Sequence, residues 1–440
     1  MVNDETAAVE APVGLDSVVV GFDDRRSVAD AGLILAATLA RRLGLAQLID
    51  GSLRLGRHRP GYFLPHRKVM TLVHAMLAGA DSIDDCDVLR SGSTGKVLGH
   101  GVMAPSTLGT FLRSFTFGHV RQLDRVLGKA LARAWKAGAG PGSDRLVIDV
   151  DSFVGEVHGK LKRGAAYGYT KVLGYHPLLA SRADTGEVLH VRNRKGSANT
   201  QRGVMRFCQE LVARVRRAGA TGEILIRADN GFWNGKLFAW LHSQGISYSI
   251  GVKLQKHVRE AIEAIDPESW IKLADYPDDG EAEIAETMLG SERLIVRRTR
   301  LVGAQADLFP DWRHHAFATN RTEAIELVEA EHRDHAVVET HIADLKDGAL
   351  AHFPSGDFDA NSAWCAIACL AHNLARWTAI IGLPDEPRRA GRTFRRRYLR
   401  MPGRLTRSGR RWTLHLPTEW PWRESFLAAL GRIRAIPALA

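Results

Sequence analysis

DRLVIDVDSF, residues Asp144–Phe153, is the stretch where the character of the chain changes. Leu146, Ile148 and Val150 alternate with Val147, Asp149 and Asp151, the period of two that a β-strand imposes on its side chains. Asp149 and Asp151 therefore share one face near the C-terminal end of the strand. Ala137–Ser143 (AGAGPGS), just before it, reads as a linker. Beyond it, strand-like stretches at Lys171–Leu179 and Glu187–Val191 are separated by glycine-containing turns. Ser197–Thr200 is expected to cap a helix running to about Ala218. Glu223–Arg227 (EILIR) reads as a buried strand ending in Ala228-Asp229-Asn230-Gly231. A helix over Trp233–Ser243 and a strand over Tyr248–Val252 follow. Such alternation predicts an α/β class.

Residues 253–320 interrupt the alternation. AEIAETMLG and RLIVRRTRLV, joined at Gly290-Ser291, read as a hairpin in a β-rich insertion. After it, Thr322–Lys346 (TEAIELVEAEHRDHAVVETHIADLK) spaces His332, Glu339 and Lys346 seven apart, with His335 between. One continuous helix would align all four on one face, with Asn320 as its cap and Glu323 completing a capping box. The bland alternative is a solvated polar face.

Before the linker the chain reads as mostly helical. Residues 1–14 are polar and expected to be disordered, Ser17–Gly21 (SVVVG) reads as a short strand, and Val69–Gly79 as a helix. Pro105–Phe115 opens a helix expected to continue past Arg121 to Trp135. Asp81, Asp84, Asp85 and Asp87 lack the glycine and glutamate of a calcium loop, so helix N-terminal capping is expected of them.

Composition narrows the function. The 440 residues carry 60 basic against 49 acidic side chains, a net charge of +11. That surplus favours a polyanionic partner, nucleic acid before anionic membrane. Four scattered cysteines exclude a disulfide framework, and Cys365 and Cys369 fall in an apolar helical run, Ala363–Ile381, that reads as buried. The N-terminal sequence has no apolar core of a signal peptide. A cytoplasmic protein without a membrane partner is expected. Near the C-terminus, eleven arginines lie between Arg388 and Arg411 with no acid among them. Phe394, Tyr398 and Trp412 interleave with them, suited either to stacking on bases or to packing on the core. Arg395, Arg396 and Arg397 are candidates for gripping a DNA backbone.

Asp149/Asp151, Asp229 and Glu339 are the chemistry-bearing acids: two strand ends and a helix. Singly, each has an ordinary role as a turn former or surface group. Together they form a set able to bind paired divalent cations for phosphoryl transfer, with Mg²⁺ the natural choice. Zinc spacings, a P-loop and a nucleophile elbow are missing.

LVIDVDSFVGEVHG…GYHPLLA, IRADNGFW and VVETHIADLKDGALAHFPSGDFDANSAWCAIACLAHNLARW resemble the DDE transposases of the IS4 superfamily, most of all its IS1380 branch. ADSIDDCDVLR, PSTLGTFLRSF and LHLPTEWPW extend the likeness over nearly the whole chain. The resemblance implies an RNase H-like catalytic core over 141–381, a helical DNA-binding domain over 1–140 and a basic tail over 382–440. It implies cut-and-paste movement of an insertion sequence, with binding of its terminal inverted repeats. The ligands would be Asp151 (Asp149 the fallback), Asp229 and Glu339, holding two Mg²⁺ ions or substitute Mn²⁺. The family's last motif places Tyr, Arg, Glu and Lys on one helix; here Glu339 and Lys346 match. His332 stands in the tyrosine position and His335 in the arginine position, with Arg333 adjacent, all candidates for phosphate contact. Partners would be duplex DNA and a second copy of the chain, in the bacterial cytoplasm at the nucleoid. Two other readings share these residues: a decayed or domesticated DNA-binding protein, and a nuclease that hydrolyses without joining strands.

Overall fold

The computed structural model describes residues 14–438 except 57, 60, 169, 275, 277–279 and 303–311. Nine strands form its main sheet: β1 (Leu146–Ser152), β2 (Leu178–Arg182), β3 (Val188–Arg192), β4 (Ile224–Ala228), β5 (Ser247–Gly251), β6 (Ile271–Lys272), β7 (Gly280–Leu289), β8 (Glu292–Leu301) and β9 (Arg313–Thr319). Their order across the sheet is β6-β7-β8-β9-β5-β4-β1-β2-β3. β2 runs antiparallel to β1, whereas β4 pairs with β1, and β5 with β4, in parallel. The parallel centre explains the apolar ILIRA of β4, since all five of its residues are buried.

The β-rich insertion extends this sheet instead of forming a separate unit. β7 and β8 pair over ten residues around a turn at Gly290, where φ is 64° and glycine is the natural occupant. β8 then pairs with β9, and β9 with β5.

Helices surround the sheet, and one apolar core runs from Val28 to Ile433 through residues of all three stretches distinguished above. Phe358–Gly382 is the central helix. It is long and apolar enough to cross a membrane, but 72% of its apolar window is buried within the protein. It packs against the helices Phe117–Ala134 and Arg423–Ala435 and against β3. Cys365 and Cys369 lie buried inside it as free thiols.

Several boundaries depart from the sequence reading. The expected strand at Ser17–Gly21 is a 3-10 turn (Leu15–Ser17) followed by exposed chain, and among the described residues no strand pairs with its valines. The helix expected from Pro105 to Trp135 is two helices, Pro105–Arg113 and Phe117–Ala134, the second opened by a capping box between Thr116 and His119. Ser197–Thr200 does not cap the next helix; it begins at Val204 behind Gly203, whose φ is 82°. The acids at Asp81–Asp87 do not cap a helix as expected: the 3-10 helix Asp84–Arg90 has no side-chain cap bond, and Asp85 accepts instead from the backbone N–H groups of Asp81 and Ser82 ahead of it. The expectation for residues 1–13 lies outside the described residues.

Thr322–Lys346 is not one helix. It forms Ile325–Arg333, a 3-10 turn at Asp334–Ala336, and Val337–Lys346. Asn320 does not cap it. Its side chain bonds Tyr248 N and Ile246 O beside β5, while Glu323 pairs with Arg321 at 2.7 Å. The basic segment is also folded: Phe394 and Tyr398 are buried, and Gly403–Ser408 and Arg411–His415 form a hairpin whose first strand pairs with Ser27–Val28.

Glu187 ties these layers together. It is fully buried and accepts from the indole N–H of Trp135 at 2.9 Å and of Trp377 at 2.6 Å. Burial pushes its carboxyl up to about 7. A raised acid pKa means the fold holds a proton that the unfolded chain releases, so stability is complete below the ordinary glutamate value, about 4.3, and is lost as pH rises toward 7. The loss is about 4 kcal/mol at most. We expect wild type to lose melting temperature between pH 4.5 and 7.5 relative to Glu187→Gln, followed by thermal melts. Parallel curves would contradict a titrating Glu187.

Candidate active site

The site begins with strand register. β1 and β4 are parallel neighbours with Asp149 opposite Arg227 and Val150 opposite Ala228. Residues two apart share a face, so Asp151 lies beyond Asp149 and Asp229 beyond Arg227 at the C-terminal edge. Asp229 leaves the strand as the cap of the 3-10 turn Asn230–Phe232, accepting from Gly231 N at 3.0 Å.

The inner pair is a buried ion pair. Arg227 Nε donates to Asp149 Oδ1 at 2.8 Å and Nη2 to Oδ2 at 2.9 Å, a two-pronged geometry, with 4% and 0% of the side chains exposed. The guanidinium also donates to the carbonyls of Glu331 and, at 3.3 Å, Asp334. These lie where the Ile325–Arg333 helix ends and would otherwise leave unpaired carbonyls. His335 Nδ1 completes the set, 2.9 Å from Asp149 Oδ1. The break after Arg333 therefore has a cause: it turns these carbonyls and His335 toward the ion pair. The chain then restarts as Val337–Lys346, with Glu339 in its first turn.

The outer acids differ in electrostatics. Burial first, then the charges of Asp229 and Glu339, raise the Asp151 carboxyl to about 6 against the N–H of Ser152 and against His335. Among the described residues Asp151, Asp229 and Glu339 form no ion pair. Lys346 is near enough to be held up by Glu156 and Asp151, although burial lowers it overall, and its ammonium lies 5.5 Å from the Phe153 ring centroid.

The other candidates lie elsewhere. His332 stacks on Phe317 at 3.9 Å between ring centroids and bonds Ser249 Oγ at 2.6 Å; burial lowers it to about 3, so it is a neutral packing residue. Arg333 pairs with Glu329 at 2.9 Å. His335 faces Asp149, so the four-residue polar face expected of a single helix is divided at the break. Arg395 is half-buried near Asp347 and Asp344, Arg397 packs over Trp422 at 4.9 Å, and Arg396 is exposed. Arg227 was missed in the sequence. Its signal was a lone charge in the apolar strand EILIR, which requires a buried anion nearby.

For a metal, the donor chemistry fits: three carboxylates without a thiolate suit a hard cation, and a cation would offset the repulsion of Asp229 and Glu339 on Asp151. Among the described residues no three His, Cys, Asp or Glu groups close on a common point. The fit is therefore of charge and donor type.

The contrast between inner and outer acids gives a stability test. Asp149→Asn strips the charge that Arg227 needs, and breaking a buried pair costs about 3–5 kcal/mol. Asp151→Asn removes a charge its surroundings disfavour, so its melting temperature should stay level or rise. Equal destabilisation of both variants would contradict this division.

Residues 10–438 match the family model described as transposase DDE domain group 1. No curated protein matches the sequence. Among solved structures, the cryo-EM structure of the piggyBac transposase synaptic complex with hairpin DNA is similar, with a TM-score of 0.46 and 12% identity over 84% of this chain and 79% of that one. Matched along almost its whole length, the chain belongs to the transposase DDE domain family, group 1.

Proposed function

We propose that this transposase moves an insertion sequence by binding its terminal inverted repeats, hydrolysing phosphodiesters at the ends and joining the freed 3′-OH to target DNA. Asp151, Asp229 and Glu339 are the metal ligands, and Asp149 is not. The observation that carries this assignment is that Asp149 is consumed by Arg227 and His335, while the three outer acids form no ion pair among the described residues. The order β3-β2-β1-β4-β5, antiparallel through β2 and β3 and parallel through β4 and β5, supports an RNase H-like core. The insertion between Asp229 and Glu339 supports an IS4-type, IS1380-like member.

Two Mg²⁺ ions, or Mn²⁺ in their place, would lower the pKa of the attacking water and stabilise the leaving oxygen of an in-line displacement. The protein's part is positional. Asp151 and Asp229 project from adjacent strand ends, and Glu339 approaches from a helix whose start is fixed by Arg227 and His335. Lys346 supplies a cation for the scissile phosphate beside Asp151. A homodimer would hold two ends together in the bacterial cytoplasm at the nucleoid. A merely DNA-binding descendant gains nothing from three mutually repelling carboxylates, which favours the catalytic reading.

The test is Mg²⁺-dependent nicking of an end-containing duplex, with binding followed separately in Ca²⁺. Glu339→Gln keeps the length and helix propensity of the side chain. It should bind DNA as wild type does and cleave on the order of a hundredfold or more slower. Asp151→Asn and Asp229→Asn should do the same, and a double variant should lose little more. Wild-type cleavage without joining to a target plasmid would favour the nuclease, and near-normal cleavage by Glu339→Gln would remove the assignment.

A further inference from the structure

The hairpin Gly403–His415 presents a face that the catalytic reading does not use. Directly opposed residues of an antiparallel pair share a face. Leu405 with Leu414 and Arg407 with Trp412 therefore form one side, and Arg404 with His415, Thr406 with Thr413 and Ser408 with Arg411 form the other. The first side rests on the protein at its base, through Leu405 and the half-buried Leu414, while Arg407 and Trp412 are exposed. Leu405 is buried, and the Trp412 ring lies 5.3 Å from the Arg407 guanidinium and 5.4 Å from the Lys96 ammonium. The opposite side consists entirely of hydrogen-bonding side chains, all exposed except the half-exposed Thr406.

No acid occurs in residues 403–415. Arg404 lies 3.6 Å from Asp24, whereas Arg410 and Arg411 meet no carboxylate among the described residues. Among the described residues Ser27–Val28 pairs with Gly403 and Arg404, and no strand covers the ribbon beyond Leu405. An uncovered two-stranded ribbon is marginal in water by itself. Here Leu405 and Leu414 anchor its base, and the cation–π contacts hold Trp412.

We propose that this ribbon enters the major groove of duplex DNA and reads base edges with Arg404, Thr406, Ser408, Arg411 and Thr413. The inference rests on the reading that DNA is the substrate. A two-stranded ribbon fits the groove, which is about 12 Å wide, and arginine, serine and threonine are suited to its donor and acceptor pattern. Arg410, in the turn, is placed to meet phosphate. Specificity for the transposon ends thus lies partly at the C-terminal end of the chain, against the N-terminal strand that anchors the ribbon.

The test uses full-length protein in Ca²⁺, retarding an end-containing duplex and a scrambled one over a range of salt. Arg404→Ala/Arg411→Ala should lose about tenfold or more of the preference for the end sequence. Arg410→Ala should weaken both duplexes equally and flatten the salt dependence. All three positions are exposed, so unchanged melting temperatures serve as the folding control. Undiminished preference in the double variant, or an equal loss on both duplexes, overturns base reading by the ribbon while wild-type cleavage still stands. Wild-type protein that neither binds nor cleaves duplex DNA overturns the transposition reading and the ribbon with it.

Discussion

The Arg227–Asp149 ion pair is the contact on which the rest of the site depends. A buried pair is a poor source of stability unless every donor and acceptor is used. Here both oxygens of Asp149 accept from the guanidinium, His335 adds a third contact, and the remaining donors of Arg227 reach carbonyls at a helix end. One guanidinium thus joins two parallel strands to the helix that follows the insertion. Each inner residue stands two or four positions before an outer acid: Asp149 before Asp151, Arg227 before Asp229, His335 before Glu339. The outer acids inherit their placement from the inner contacts.

Compensation of charge separates structural acids from catalytic candidates more sharply than burial does. Asp124 and Glu210 surround the buried His190 together with Arg121, Arg192 and Arg214, and both carboxyls are held well below the usual range: the His190 imidazole, 3.4 Å from each, leads for Glu210, and with Arg214 outweighs burial at Asp124. Glu187 has two indole donors. Burial moves the Glu187 and Asp151 carboxyls up alike, but Glu187 also has Arg182 at 3.5 Å, whereas Asp151 faces the charges of Asp229 and Glu339. A charge that the fold leaves unsatisfied costs stability, and a bound cation is the group that would offset it.

Much of this was legible in the sequence. Period-two alternation located β1, and branched apolar runs located β4 and β5, because strands buried by their neighbours must be apolar. Gly290-Ser291 marked the hairpin. What was not legible depended on partners distant in sequence. Seven-residue spacing suggested one helix through His332 and Lys346, yet the carbonyls at its midpoint find a better partner in Arg227, about a hundred residues earlier. His332 looked like a surface imidazole and is packed on Phe317. The arginine-rich segment looked like a uniform grip, but Arg395 and Arg397 pack inward while Arg410 and Arg411 are exposed and meet no carboxylate among the described residues. Composition gives the number of such charges; only the pairing assigns them.

The insertion raises a geometric difficulty that the sheet resolves. A long excursion between Asp229 and Glu339 would leave the third acid on a tether, with an entropic cost of returning it to the others. The excursion instead comes back as β9, which pairs with β5 at Thr319 and Ser249. Immediately afterwards Asn320 bonds the backbone of Ile246 and Tyr248, and Arg321 pairs with Glu323 and with Glu331. Arg145, just before β1, reaches Glu331 at 3.2 Å from the other side. His332 adds its stack on Phe317 and its bond to Ser249. The Ile325–Arg333 helix is thereby fixed to β5, to β9 and to the entrance of β1 before the chain reaches Arg227. Residues within the insertion can vary without moving Glu339, provided that β9 keeps its pairing with β5.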